Sequence, residues 1–233
     1  MLKTYCYFTL EYSHDTDRIK LAKTFSRRRQ RMRKNIGMMP VVFLAFIGFS
    51  IIPEILPAQI PAKIPDALTV IHSRKSVRKY LDKPVTKEQL EVLLRAGMAA
   101  PTAGDKRPWS FVVITDPAML DTLSFASRGT RMLSSAAAAI AVCGDKSAGF
   151  KSEVWVQDCS AASENILLAA EAIGLGAVWT GIYLNEEPTK YVKRVLGLPE
   201  EVFALNIISI GYPTGEEKPK NKWDPTRIHW GKW

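Results

Sequence analysis

Arg74-Lys75-Ser76-Val77-Arg78 is the stretch on which the reading of this chain turns. It sets two guanidiniums and a hydroxyl close together, just past an apolar turn that carries Leu68, Val70 and Ile71. A guanidinium is a planar fork of donors that meets oxyanion oxygens two at a time. A serine between two such groups adds a neutral donor to the same anion. A short basic run is also what a solvated helix end looks like. Only the surrounding sequence separates the two readings.

From residue 63 onward that surrounding sequence alternates helix and strand patterns. Thr86-x-x-Gln89 is a capping-box pattern, and Leu90, Leu93, Leu94 and Met98 follow at helical spacing. That helix stops near Ala99-Ala100-Pro101. Ser110 to Thr115 reads as a β-branched strand closed by an Asp116-Pro117 turn, and Ala118 to Ala126 as a helix. Ala136 to Cys143 is apolar throughout, as in a strand buried on both faces. A long helix spans about Lys151 to Ile173. Its Ala161, Ala162, Ala169, Ala170 and Ala172 permit close helix approach, and Gly174 and Gly176 are expected to end it. Ala177 to Thr180 is a strand, Glu187 to Leu196 a helix stopped at Gly197, and Leu205 to Ile210 the last core strand. The tail from Tyr212 to Trp233 lacks a helical period. Its Trp223, Trp230 and Trp233 point to packing against another surface, such as a partner subunit.

The net charge of +9 sits mainly outside this region. Residues 1–65 hold 11 Lys/Arg against 4 Asp/Glu, whereas residues 66–233 hold 21 against 19. The helix-and-strand part lacks the basic footprint of a general nucleic-acid binder. Residues 1–62 read as a leader separate from a domain at 63–233. A basic cluster (Arg27, Arg28, Arg29, Arg31, Arg33, Lys34) precedes the apolar run Val41 to Ile52 and the small-residue stretch Pro57-Ala58. This is the layout of a secretory signal or anchor over residues 32–58, and the run is shorter than the 20 or so residues that span a bilayer. Translation starting at Met32 or Met38, a twin-arginine signal at Ser26-Arg27-Arg28, or a plain basic leader of a cytoplasmic protein are the other readings.

The common catalytic signatures are absent. There is no phosphate-binding GxxxxGK[ST] loop and no HExxH, and Gly174-x-Gly176 follows a helix rather than a strand. No GxSxG elbow accompanies His72 or His229. Cys6, Cys143 and Cys159 show no CxxC or metal-ligand spacing, so no metal is expected, and the last two read as buried apolar residues. What remains is basic and polar residues at element ends, which suits an anionic cofactor better than side-chain catalysis.

Four motifs in order then carry a resemblance. They are Arg74 to Tyr80 (RKSVRKY), Ala99 to Trp109 (AAPTAGDKRPW), Gly174 to Gly181 (GLGAVWTG), and Gly211-Tyr212-Pro213 with the basic tail. Together they resemble the FMN-dependent nitroreductase family over about residues 65–233. The resemblance implies an α+β sandwich in which a mixed central sheet is flanked by helices. It further implies a domain-swapped homodimer, with the C-terminal arm extending the partner's sheet and FMN in each of two interface clefts.

On the family pattern, the RKSVR motif (Arg74, Lys75, Ser76, Val77, Arg78) binds the cofactor. Arg74 and Ser76 match ligands near the FMN phosphate and ribityl chain. Arg78 matches the basic residue toward the pyrimidine edge, where positive charge stabilises the anionic reduced flavin. Thr102 and Asp105 match the loop that approaches the ring from the other subunit. The family often has Asn where this chain has Asp105, and an ionised Asp can only accept. Trp179, Thr180 and Gly181 match a strand end that offers backbone groups to the ring, although Trp179 also reads as core. Lys220 and Lys222 match a late phosphate-binding pair, or else a solvated tail. The variable segment Ser124 to Ser135 is expected to shape the acceptor side of the cleft.

The implied activity is ping-pong reduction of nitroaromatics, quinones or related small-molecule acceptors by NADH or NADPH. The flavin N5 carries the chemistry and no protein residue is catalytic. A non-catalytic flavin-binding module, or another flavin redox reaction such as reductive dehalogenation, is the alternative.

Overall fold

A computed structural model describes residues 63–151 and 153–233. The leader read in residues 1–62, with its basic cluster, apolar run and Cys6, lies outside the described residues. Among the described residues, no helix is long and apolar enough to cross a membrane.

The apolar turn ahead of Arg74 is a short helix, α1 (Ala67–Ser73), started by the Asp66 carboxylate, which accepts from the Leu68 and Thr69 amides. Arg74 is its C-cap. Helix α2 (Lys87–Met98) begins with both halves of the capping box: Thr86 accepts from the Gln89 amide and Gln89 from the Thr86 amide. Strand β1 (Trp109–Ile114) leads into α3 (Pro117–Ser124) and a 3-10 segment, Arg128–Ser135. Strand β2 (Ala138–Asp145) is followed by the long α4 (Val154–Ala172), β3 (Gly176–Gly181), α5 (Glu186–Leu196) and β4 (Val202–Gly211).

The four strands form one sheet in the order β1-β2-β4-β3, every neighbouring pair antiparallel. The sheet of named strands is thus antiparallel rather than mixed, and among the described residues the parallel contact to it is an isolated bridge outside those strands, Ser76 to Ala177. Because side chains alternate along a strand, β2 feeds two cores. Ala138, Ile140 and Val142 pack with Leu90, Leu93, Trp155, Ile166 and Ala170 of α2 and α4. Ala139, Ala141 and Cys143 pack with Leu120, Leu123, Leu133 and Val192 on the other face. Helices thus cover both faces of the sheet, and β2 is buried from Ala138 to Gly144.

Two glycines that the sequence pattern groups together have different jobs. Gly174 (φ +80°) ends α4: its amide donates to Glu171 O and the Leu175 amide to Ala170 O, the two bonds of a Schellman cap. Gly176 is not a cap. A Cβ built there would lie 2.6 Å from Val77 Cγ1, so Gly176 is the site where the 74–78 segment approaches the sheet. Adding a methyl at such a contact overpacks the core. Gly176→Ala is expected to destabilise the fold by about 1–3 kcal/mol, measured as a shift in the urea unfolding midpoint.

Cys143 and Cys159 are buried and unpaired, and Cys159 Sγ lies 3.5 Å from Cys143 O. Burial pushes both thiols up to about 12. The folded chain therefore keeps these protons when the unfolded chain, with thiols near their ordinary 9.0, begins to lose them. Their contribution to stability is complete below about pH 9 and declines as pH rises toward 12. Neither thiol should react with iodoacetamide in the folded protein at pH 8, and both should react in 6 M guanidinium; mass spectrometry of the alkylated peptides checks this.

Candidate functional site

The site begins at the segment that leaves α1. Val77 is buried and its amide donates to Ala177 O at 3.0 Å, adding a short parallel rung beside β3. With Val77 turned inward, the alternation of an extended chain leaves its neighbours Ser76 and Arg78 exposed. Tyr80 anchors the far end. Its ring covers Gly211, where a Cβ would lie 2.7 Å from Cδ1. Its hydroxyl donates to Val77 O (2.8 Å) and lies 2.6 Å from Ser209 Oγ. Burial pushes its ionisation well above the ordinary tyrosine range.

The chain then returns to this segment after β4. The Leu81 amide donates to Tyr212 O, and the Thr214 amide to Lys79 O. Glu216 pairs with Lys79 at 2.5 Å. One carboxylate oxygen of Glu217, Oε1, accepts from the amides of Arg78 (2.9 Å) and Lys79 (3.3 Å). The Arg78 amide, ahead of the Lys79 amide and the Lys79 charge, holds this carboxyl below the usual range, so it is ionised. Beyond it the tail passes in front of the 74–78 segment. Arg74, Lys75, Ser76, Arg78, Glu217, Lys218, Lys220 and Lys222 then enclose a cavity of about 360 Å³. A neighbouring cavity of about 560 Å³ shares Arg74, Lys220 and Lys222, and adds Ile71, His72 and Trp223.

The first cavity has six basic side chains and one carboxylate. Two of the six are tied to α4: Arg74 Nε lies 3.1 Å from Glu164 Oε1, and Lys75 Nζ reaches both Glu171 oxygens at 3.0 and 3.1 Å. The pairs differ in what they leave over. Arg74 spends one edge of its fork and keeps its two terminal nitrogens, whereas the single ammonium of Lys75 is committed to Glu171. Among the described residues, no carboxylate lies within ion-pair distance of Arg78, Lys218, Lys220 or Lys222. Such a concentration of donors and positive charge has the chemistry that suits a multiply charged oxyanion.

The other residues singled out in the sequence lie elsewhere in the chain. Val77 faces the core, and both its main-chain polar groups are engaged. Thr180 is buried and its hydroxyl donates to Ile207 O at 2.5 Å. Trp179 is half-buried against the α2/α4 core, and Gly181 closes β3 with open space where a Cβ would stand. Thr102 accepts from the Arg107 amide, closing its own loop. In that loop Gly104, Asp105 and Arg107 take left-handed φ values of 58°, 54° and 49°. Asp105 is held in a two-point contact with Arg107 (2.6 and 2.7 Å), which lowers its pKa and keeps it an acceptor. Neither Thr102, Asp105, Trp179, Thr180 nor Gly181 lines the basic cavity of the single chain. Ser134 and Ser135, from the segment expected to shape the acceptor side, line a different cavity with Tyr80, Leu81 and Thr115.

Several contributors were not visible as site residues in the sequence. Glu164 and Glu171 are two helical turns apart, so they share one face of α4 and meet the adjacent Arg74 and Lys75; that spacing was a usable signal. Glu217 and Lys218 sit in a charged tail with no pattern to mark them. Asp158, buried on α4, accepts from the Ala103 amide at 2.9 Å and supports the 102–107 loop. Among the described residues, no cluster of three or more His, Cys, Asp or Glu could hold a metal.

Comparison with known proteins agrees with this architecture. The nitroreductase family model matches residues 71–145 and 129–212. A protein of Archaeoglobus fulgidus, provisionally named NADH dehydrogenase/NAD(P)H nitroreductase, is 43% identical over 172 residues, 72% of this chain and 99% of its own length. A crystal structure under the same provisional name from Parabacteroides distasonis superposes with a TM-score of 0.69 at 48% identity, covering 72% of this chain and 98% of that one. An FMN-dependent nitroreductase from Clostridium difficile superposes with a TM-score of 0.67 at 32% identity, covering 71% and 99%. With motif order, two-sided sheet and basic cavity all in place, the chain belongs to the nitroreductase family.

Proposed function

We propose that this protein is an FMN-dependent oxidoreductase that uses NADH or NADPH to reduce small-molecule acceptors, nitroaromatics and quinones among them. The observation that carries the reading is the basic cavity at Arg74, Ser76, Arg78, Lys220 and Lys222 in a chain of this family. The donor set suits the cofactor's phosphate. It offers the uncommitted part of one guanidinium, a serine hydroxyl and several ammonium groups, and the positive charge exceeds what Glu217 offsets. When bound, FMN supplies the two-electron chemistry, accepting a hydride from NAD(P)H and passing it to an acceptor that takes the nicotinamide's place.

The chain's own residues then have separate tasks. Arg74, Ser76, Lys220 and Lys222 hold the phosphate, with Glu164 fixing the Arg74 side chain from α4. Arg78 is assigned to the pyrimidine edge of the ring, where a fixed positive charge favours added negative charge. The main chain at Trp179 to Gly181 and the Thr102–Asp105 loop are assigned to the ring, the loop coming from a partner subunit. Two features support a homodimer closed by the C-terminal arm. In the single chain Trp223, Trp230 and Trp233 are 74%, 92% and 100% exposed, and the loop lies apart from the basic cavity. Large apolar side chains left bare in this way mark an interface. No protein acid or base is assigned. Residues 63–233 form the cofactor-binding domain on this reading, and a membrane role is confined to the leader.

The purified full-length chain is expected to show flavin absorbance, and anaerobic addition of NADH or NADPH should bleach it. A colourless protein that takes up no FMN would overturn the proposal. The different commitments of neighbouring residues give a sharper test. Arg74→Ala should weaken FMN binding by about tenfold or more, and Lys75→Ala by less than about threefold, measured by quenching of FMN fluorescence. Equal losses would remove Arg74 from the phosphate.

A further inference from the structure

We propose that Glu217 is a positioning residue, the latch that holds the C-terminal strap so that Lys220 and Lys222 face Arg74 across the basic cavity. The inference rests on the cofactor reading above but adds a residue that no motif marks.

The strap from Lys218 to Trp223 has no regular secondary structure to fix its course. It is also repelled by the wall it faces, since Lys218, Lys220 and Lys222 line the same cavity as Arg74 and Arg78. Something must hold these like charges together before an anion arrives. The β-type contacts between the tail and the 79–81 segment end at the Thr214 amide, eight residues before Lys222. Two acids follow. Glu216 makes an exposed ion pair with Lys79, a contact of small expected worth. Glu217 does more: Oε1 accepts two successive backbone amides of the segment that carries Arg78, so it ties strap to wall through groups that cannot swing away. Oε2 is buried with no hydrogen-bond partner. One acceptor oxygen thereby closes the strap on two amides. Holding the lysines near Arg74 also raises their effective concentration at the anion, so part of the ordering cost is met before binding.

Three variants of the full-length protein separate a latch from a bystander. Glu217→Ala removes both acceptor oxygens. Glu217→Gln retains an oxygen for the two amides, and Glu217→Asp retains the charge but shortens the reach by one methylene. Trypsin cleaves after Lys220 and Lys222, and mass spectrometry follows release of the peptides beginning at Asn221 and Trp223 from the cofactor-free protein. Glu217→Ala and Glu217→Asp should release them about tenfold faster than wild type, with Glu217→Gln within about threefold, since the acceptor oxygen for the two amides is absent or out of reach in the first pair and kept in Gln. The FMN dissociation constant should follow the same order, rising about tenfold in Glu217→Ala and recovering in Glu217→Gln. Unchanged tail release in Glu217→Ala and Glu217→Asp, or equal release in Glu217→Gln and Glu217→Ala, would overturn the latch. Should Glu217→Ala not fold, the Asp and Gln pair decides alone. Faster tail release with no FMN binding by any form, wild type included, would leave the latch standing and remove the cofactor reading.

Discussion

The contact between Val77 and Gly176 is the constraint on which the site depends. A side chain at position 176 would occupy the space that Val77 fills. Because the glycine leaves it open, Val77 is buried and its amide pairs with Ala177. The other residues of the segment then have no freedom of facing. Ser76 and Arg78 must turn outward, and the amides of Arg78 and Lys79 are presented to the returning tail. A cationic cavity is therefore a consequence of one apolar contact on the far side of the same backbone. The direction of dependence matters, because apolar burial does not rely on charge and is not weakened by screening, whereas the charges it positions repel one another.

The second organising element is α4, which serves the core on one side and the site on the other. Trp155, Cys159, Ile166 and Ala170 are buried against the sheet. Ser163 lies on the same face, accepting from buried Asn206 Nδ2 at 2.8 Å and donating to Cys159 O at 2.7 Å. Glu164 and Glu171 meet Arg74 and Lys75. Asp158 holds the Ala103 amide at the start of the 102–107 loop. One rigid helix thus fixes the basic segment and supports the loop that the family pattern associates with the ring. Geometry set by a helix is better defined than geometry set by loops alone.

Element identities were legible wherever local chemistry is strong. The capping box at Thr86 and Gln89 is formed as the pattern reads, and the uniformly apolar run ending at Cys143 is a strand buried on both faces. Strand and helix boundaries moved by a few residues, as frayed ends do. The reading of Gly176 as part of a helix stop failed for a definable reason. A glycine needed for φ and a glycine needed for space look the same in a sequence, and only Gly174 has positive φ. The apolar turn before Arg74 is a helix because the Asp66 cap, which binds two amides, starts one even over seven residues.

By itself the sequence determined the alternation of elements, the two-sided burial of β2 and the charge types at element ends, because periodicity and capping act over a few residues. It also placed Arg74, Ser76 and Arg78 together, since they are adjacent in the chain. Only the tertiary structure decided that Lys220 and Lys222 join them, that Lys75 is spent on Glu171 while Arg74 keeps part of its fork, and that Glu217 binds the Arg78 and Lys79 amides. Each of these joins groups some 90 to 150 residues apart, and nothing local in a charged tail says which oppositely charged group it will meet. That choice is made by the apolar packing of Val77, Tyr80 and α4, which brings the backbones together and leaves the charges to pair where they are put.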